Sequence, residues 1–223
     1  MATEHQLRQE LIRFSHLCYE RNLLVAMDGN LSALLSCGVV QTAGLDYYLA
    51  LGAALAEAVR RLPPGRVALL GSGDEVLIPD NAYGPGKELA RNELARWGIE
   101  HRFYDAMDPD SLARTIAPKT RLVWLEAAGS VTMEFPDLAA LVRVARAKGV
   151  TTALDNTWGA GVAFNPFALP GGAAVDISMQ ALTKYPSGGA DVLMGSVTTC
   201  DEALHLKLKF AHMRLGWGVG AND

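Results

Sequence analysis

Apolar positions in this chain follow two different periods. Leu7, Leu11, Phe14 and Cys18 recur every three or four residues, and Leu51, Leu55 and Val59 do the same in an Ala-rich stretch that stops at Pro63. Both stretches read as amphipathic helices. From residue 67 onward, short apolar runs alternate with helical spacing. Residues 67–70, 75–78, 100–104, 121–125, 150–154, 175–179 and 192–198 read as strands. Residues 87–97, 110–116, 137–148 and 202–215 read as helices. The punctuation agrees with that division. Gly98 and Gly149 stand where helices should stop, and Asp108-Pro109 is an N-cap followed by a first-turn proline. Strands separated by helices of this length need crossover connections, so an α/β fold with a mostly parallel sheet in three layers is predicted. Ligands of such sheets sit at the carboxyl ends of the strands. Asp155 and Lys184 both fall at such ends.

Composition narrows the function. The 223 residues carry 20 Lys+Arg against 24 Asp+Glu, a net charge of −4, without the basic excess of a nucleic-acid binder. Half of the residues are apolar and 20% are charged, which suits a buried core. No apolar run reaches the ~18 residues of a membrane span. The opening MATEHQLRQELIRF is charged and does not read as a signal peptide. Cys18, Cys37 and Cys200 are too few and too widely spaced for a disulfide framework or a zinc knuckle. A cytoplasmic protein without membrane or nucleic-acid partners is the expectation. The two parts of the chain differ in charge. Residues 1–73 hold six basic and six acidic side chains, whereas 74–223 hold the whole net charge of −4. The Leu62-Pro63-Pro64-Gly65 stretch lies close to that division, and two domains are expected, 1–73 (helical, of separate origin) and 74–223.

Residues 74–223 contain DEVLIPDNAYGP, LVWLEAAGSVTMEFPD, ALDNTWGAG, DISMQALTKYPSGGADVLMGSV and MRLGWGVGAND, in that order. This series resembles the pyridoxal 5'-phosphate (PLP) enzymes of cysteine and methionine metabolism, within them the cystathionine β-lyase-like group. The resemblance implies part of the large domain of a fold type I PLP-dependent transferase. It also implies roles for single residues. Lys184, in ALTKY, corresponds to the lysine whose amine holds the cofactor and moves the substrate proton. Asp155, in LDNT, corresponds to the anion beside the pyridine nitrogen; read by itself it could equally be a loop N-cap. Tyr83, in DNAYGP, corresponds to the aromatic on the ring face and a possible aid to proton transfer, though an aromatic there could as well be core. Thr183 corresponds to a phosphate ligand, and Ser130 lies in the segment that approaches the ring oxygen and the substrate. Ala127 and Ala128 stand where the family pattern reads Ser-Pro.

The implied reaction is β-elimination on cystathionine or a related small sulfur amino acid, catalysed by a homo-oligomeric carbon–sulfur lyase. The family's phosphate loop, its N-terminal Tyr-x-Arg pair and its C-terminal carboxylate-binding arginine find no counterpart in this sequence. A truncated and impaired lyase is therefore expected, prone to self-association. A non-catalytic mosaic or remnant is the alternative. Residues 7–33, LRQELIRFSHLCYERNLLVAMDGNLSA, resemble the opening of class II aldolase and adducin domains, with Gly29-Asn30-Leu31-Ser32 at their phosphate site or as a plain turn. The five histidines lack the close pair that the aldolase metal requires, so no metal is expected and an aldolase-like lyase is the weakest reading.

Overall fold

The structure is a computed structural model that describes residues 31–34, 39–42, 70–189 and 194–215. Two strands, β1 (Leu31–Leu34) and β2 (Val39–Thr42), form an antiparallel pair with Leu34 opposite Val39. The sequence reading assigned no strand to this stretch; two short runs on either side of Cys37-Gly38 pair with each other. The helices predicted before β1 and after β2 lie outside the described residues.

The main sheet contains β3 (Glu75–Pro79), β4 (Glu100–Tyr104), β5 (Thr120–Glu126), β6 (Thr151–Asp155), β7 (Ile177–Ala181) and β8 (Gly195–Thr198). Their order is β4-β3-β5-β6-β7-β8, parallel throughout except for the antiparallel β7–β8 pair. Crossovers run through α1 (Gly84–Glu88, widening into a π-type stretch over Leu89–Leu94), α2 (Pro109–Thr115) and α3 (Leu138–Ala147); α4 (Glu202–Leu215) follows β8.

Strand alternation sorts side chains into two cores. Val76, Ile78, Leu122 and Trp124 face Leu89, Leu94 and Leu208 on one side. Leu77, Val123, Leu125 and Leu154 face Leu112, Leu138, Leu141 and Ala145 on the other. The helices thus cover both faces, and the three-layer, mostly parallel α/β architecture stands as expected.

Capping fixes the helices in place. Asp108 accepts the Asp110 N–H at 2.9 Å, and Asp137 accepts the Ala140 N–H at 2.9 Å. Gly149, at φ 68°, turns the chain out of α3 into β6, a left-handed conformation that glycine adopts without steric cost. Among the element boundaries that differ from the sequence reading, two have a clear local cause. The first long helix starts at Gly84 rather than 87, because Pro85 fits a first helical turn. Strand β7 starts at Ile177 rather than 175. Before it, the Asp176 carboxylate accepts the Thr152 N–H at 2.7 Å, and the Asp176 N–H donates to Thr152 Oγ1 at 3.0 Å. Side-chain bonds there replace the main-chain ladder.

The topology also locates the site. The chain leaves β3 for β4 on one side, then crosses back past β3 to β5 on the other. The crevice at the carboxyl ends of strands near such a reversal is where open α/β sheets bind ligands.

Candidate functional site

A cavity of about 340 Å³ opens at the carboxyl ends of β3, β5, β6 and β7. That is within the range of small-ligand sites, roughly 300–1,000 Å³. Tyr83 enters it from the turn after β3, Glu126 and Ser130 from the end of β5, Asp155 from the end of β6, and Lys184 from the turn after β7. Trp158 and Tyr185, both substantially exposed, stand at the same cavity with ring centroids 6.0 Å apart.

Each polar group is placed by its local structure. Asp155 is the last residue of β6 and lies opposite Met179 of β7 and Glu126 of β5. Its Oδ1 accepts the Thr157 N–H at 2.9 Å. The Thr157 hydroxyl also bonds to the Asp155 carboxyl, and it accepts the Ala181 N–H at 3.0 Å. The aspartate is thereby tied to the end of the neighbouring strand. Lys184 sits in a tight turn. The Ser187 N–H donates to the Leu182 carbonyl at 3.0 Å, and the Ser187 hydroxyl donates to the Thr183 carbonyl at 2.8 Å. The turn ends at Gly188 with φ 74°. Lys184 itself is exposed.

Four of the five sequence-predicted site residues therefore line one cavity: Lys184, Asp155, Tyr83 and Ser130. Thr183 does not line it. Its Oγ1 accepts the Met194 N–H at 3.2 Å and donates to the Met194 carbonyl at 3.5 Å, which binds the lysine turn to the approach of β8. The sequence reading gave no role to Glu126, Thr157, Trp158 or Tyr185. Glu126 carries the same signal as Asp155, a carboxylate ending an apolar strand, in LVWLE as in TTALD. The contribution of Thr157, Trp158 and Tyr185 depends on where two turns meet and has no comparable mark.

Two buried carboxyls side by side have electrostatic consequences. Burial raises the Asp155 carboxyl to about 6, against the opposing hydrogen bonds of Thr157. Burial, and then the charge of Asp155, raise Glu126 to about 7, against the N–H groups of Tyr83 and Ser130. A carboxyl with a raised native pKa binds its proton more tightly folded than unfolded. Its stabilising contribution is complete below the ordinary carboxylate range and disappears as pH rises through about 6 for Asp155 and about 7 for Glu126. The urea midpoint of the cofactor-free chain is therefore expected to fall between pH 5 and pH 8. The double variant Asp155→Asn, Glu126→Gln should flatten that slope, and an equal slope in both proteins would refute the assignment.

The donor set matches part of PLP. A lysine amine suits the aldehyde carbon, a buried carboxyl suits a cationic ring nitrogen, and Tyr83 and Trp158 offer ring faces. The phosphate is matched less well, because Lys184 is the one cationic side chain among the described residues lining the cavity. Among the described residues, no group of three or more His, Cys, Asp or Glu side chains is arranged to hold a metal ion. Nor is any described helix long and apolar enough to cross a membrane.

Comparison with known proteins gives the family and the fold. The family of Cys/Met metabolism PLP-dependent enzymes matches residues 64–223. A cystathionine beta-lyase of Bordetella avium is 40% identical over 157 residues, 70% of this chain and 38% of the relative. The cystathionine beta-lyase MetC of Bacillus subtilis is 35% identical over 155 residues, 70% of this chain and 39% of the relative. A probable cystathionine gamma-synthase of Herpetosiphon aurantiacus is 33% identical over 155 residues and is covered to 47%. The chain thus spans less than half the length of these curated relatives. In fold it is similar to the crystal structure of metB from Corynebacterium glutamicum, with a TM-score of 0.59 at 24% identity, covering 66% of this chain and 37% of that one. The class II aldolase-like stretch, 7–33, lies outside the family match and, apart from 31–33, outside the described residues. No comparison supports it.

Proposed function

Because the chain belongs to the family of Cys/Met metabolism PLP-dependent enzymes, we propose that residues 74–223 carry the cofactor-anchoring half of a carbon–sulfur lyase acting on cystathionine or a related sulfur amino acid. The observation that carries this reading is the meeting of Lys184, Asp155, Tyr83 and Ser130 at one cavity from four separate strand ends. Bound PLP supplies a sink for the electron pair left at the substrate Cα. In this proposal Lys184 Nζ anchors the cofactor and moves the Cα proton. The Asp155 carboxylate holds the positive ring nitrogen, with Thr157 fixing its orientation. Tyr83 packs against the ring, and Ser130 borders the substrate side. Thr183 contributes its phosphate role only if its hydroxyl gives up Met194. Overall, the Cα proton leaves, the Cβ–S bond breaks, and sulfur departs with the bonding pair and a proton. From cystathionine the products are homocysteine, pyruvate and ammonia, with water consumed.

The rest of the reading follows from the family. The protein is proposed to act as a homo-oligomer in the cytoplasm. Residues 1–73 are proposed to form a separate segment, except that Leu70, buried in the same core as Val76, packs with the second unit. One observation favours the alternative of a non-catalytic remnant. Among the described residues, the exposed Lys184 is the one cation lining the cavity, with no second described cation there for the cofactor phosphate or the substrate carboxylate. The two readings separate when the chain, PLP and cystathionine are incubated together and thiol and pyruvate are assayed. Equal amounts of both products support the lyase. Absence of product supports the remnant, whether or not PLP is attached at Lys184, and lack of attachment also removes the proposed anchoring role of Lys184.

A further inference from the structure

We infer that Glu126 is the positioning residue of this site, one carboxylate that pins the Tyr83 and Ser130 segments to each other at the cavity and tightens when a cation neutralises Asp155. The inference rests on the cofactor reading above and extends it to a residue that the reading leaves without a role.

The geometry is a two-sided clamp. Glu126 Oε2 accepts the Tyr83 N–H at 2.9 Å, and Oε1 accepts the Ser130 N–H at 3.1 Å. The Ser130 hydroxyl bonds to the same carboxyl. Glu126 is 2% exposed, so water does not stand in for these partners. Tyr83 opens α1, and its carbonyl accepts the Gly86 N–H at 3.0 Å. Ser130 lies in a compact turn in which the Gly129 N–H donates to the Glu134 carbonyl at 2.8 Å. A second tie between the two segments runs from Asn81 Nδ2 to Glu134 Oε2 at 3.1 Å. Both segments are therefore stiff locally, and Glu126 sets how they meet.

The clamp needs a carboxylate in particular. Two N–H donors converge on the two oxygens of one group, and a carboxylate is acceptor-only. An amide of the same size can accept from one donor but turns its NH₂ towards the other. Bonds to an ionised acceptor are also about twice as strong as neutral ones.

Charge couples the clamp to the cavity. Asp155 of β6 stands in register with Glu126 of β5. Lys184, from the turn after β7, lines the same cavity. Behind them Tyr104 is fully buried, and its hydroxyl donates to the Trp124 carbonyl at 2.8 Å. Burial, with the charges of Asp80 and Glu126, holds that phenol neutral. The negative charge of Asp155 thus opposes ionisation of Glu126. A cationic ring nitrogen against Asp155 removes that opposition, Glu126 ionises, and both N–H bonds strengthen.

Amide hydrogen exchange on the full chain tests this directly. In Glu126→Gln, at least one of the Tyr83 and Ser130 amides should exchange roughly ten-fold faster, the change expected for losing about 1.4 kcal/mol of hydrogen bonding, while Leu77 and Val123 amides stay unchanged. Glu126→Asp, shorter but still charged, should release one of the two. Without any substitution, protection of both amides relative to Val123 should rise several-fold from pH 6 to pH 8. Added PLP should raise it at pH 6 in wild type and not in Glu126→Gln. Equal exchange in wild type and Glu126→Gln, or a flat pH profile in wild type, overturns the clamp. If the amides respond but Lys184 takes no PLP label, the clamp stands and the cofactor reading fails.

Discussion

Lys184→Ala is expected to abolish covalent retention of PLP. Wild-type chain mixed with PLP should develop visible absorbance. After borohydride reduction it should carry a pyridoxyl group on the peptide containing Lys184. The alanine variant should show neither. The size of the effect follows from how many functions meet at one atom. Lys184 Nζ is both the proposed anchor and the proposed base, and among the described residues it is the one amine lining the cavity. No other described residue lining the cavity can substitute for it, so turnover of a complete enzyme should drop by at least ~10³-fold, since general acid–base work alone contributes ~10²–10⁴-fold. Truncating an exposed lysine should leave the fold intact. The far-UV spectrum and urea midpoint of the variant should therefore match wild type within ~0.5 kcal/mol. A label that survives in the variant, or maps elsewhere in wild type, would refute the site.

Leu154→Ala should produce the largest loss of stability with no change in chemical groups at the site. Leu154 is fully buried, in the core between the sheet and the α2–α3 layer. Strand β6 is hydrogen-bonded on both sides, to β5 and β7, so the surrounding backbone cannot collapse into the space left by the side chain. Removing a buried leucine in such a setting costs about 2–5 kcal/mol. At this chain length each kcal/mol lowers the melting temperature by roughly 2–4 °C. The next residue is Asp155, so loosening this strand should also weaken PLP retention before the protein unfolds. Calorimetry would measure the first effect and the reduced pyridoxyl yield the second. A melting temperature within a degree of wild type would mean that this core does not carry the sheet.

Much of the fold was legible because its signals are local. The Asp108-Pro109 and Asp137 helix starts, and Gly149 at the end of α3, are features of a few adjacent residues, and each appears where its chemistry requires. Shifted boundaries have a common cause. At the start of β7 and the start of α1, a side-chain bond or a proline competes with the pattern of apolar residues. The site divides in the same way. Asp155 and Lys184 were recognisable because each follows an apolar strand within a distinctive motif. Thr183 shares the lysine's motif, yet its hydroxyl points to Met194, a residue eleven positions on. Motif membership does not fix which way a side chain turns.

The sequence by itself determined the alternation of strands and helices, the layers they form, and the identities of a lysine and an aspartate at strand ends, because periodicity and capping act over a few residues. Only the tertiary structure decided that Glu126 stands beside Asp155 and holds Tyr83 and Ser130. That arrangement comes from the register of β5 against β6 and from a contact across 43 positions. The strain between two buried carboxyls exists only once packing has excluded water from both.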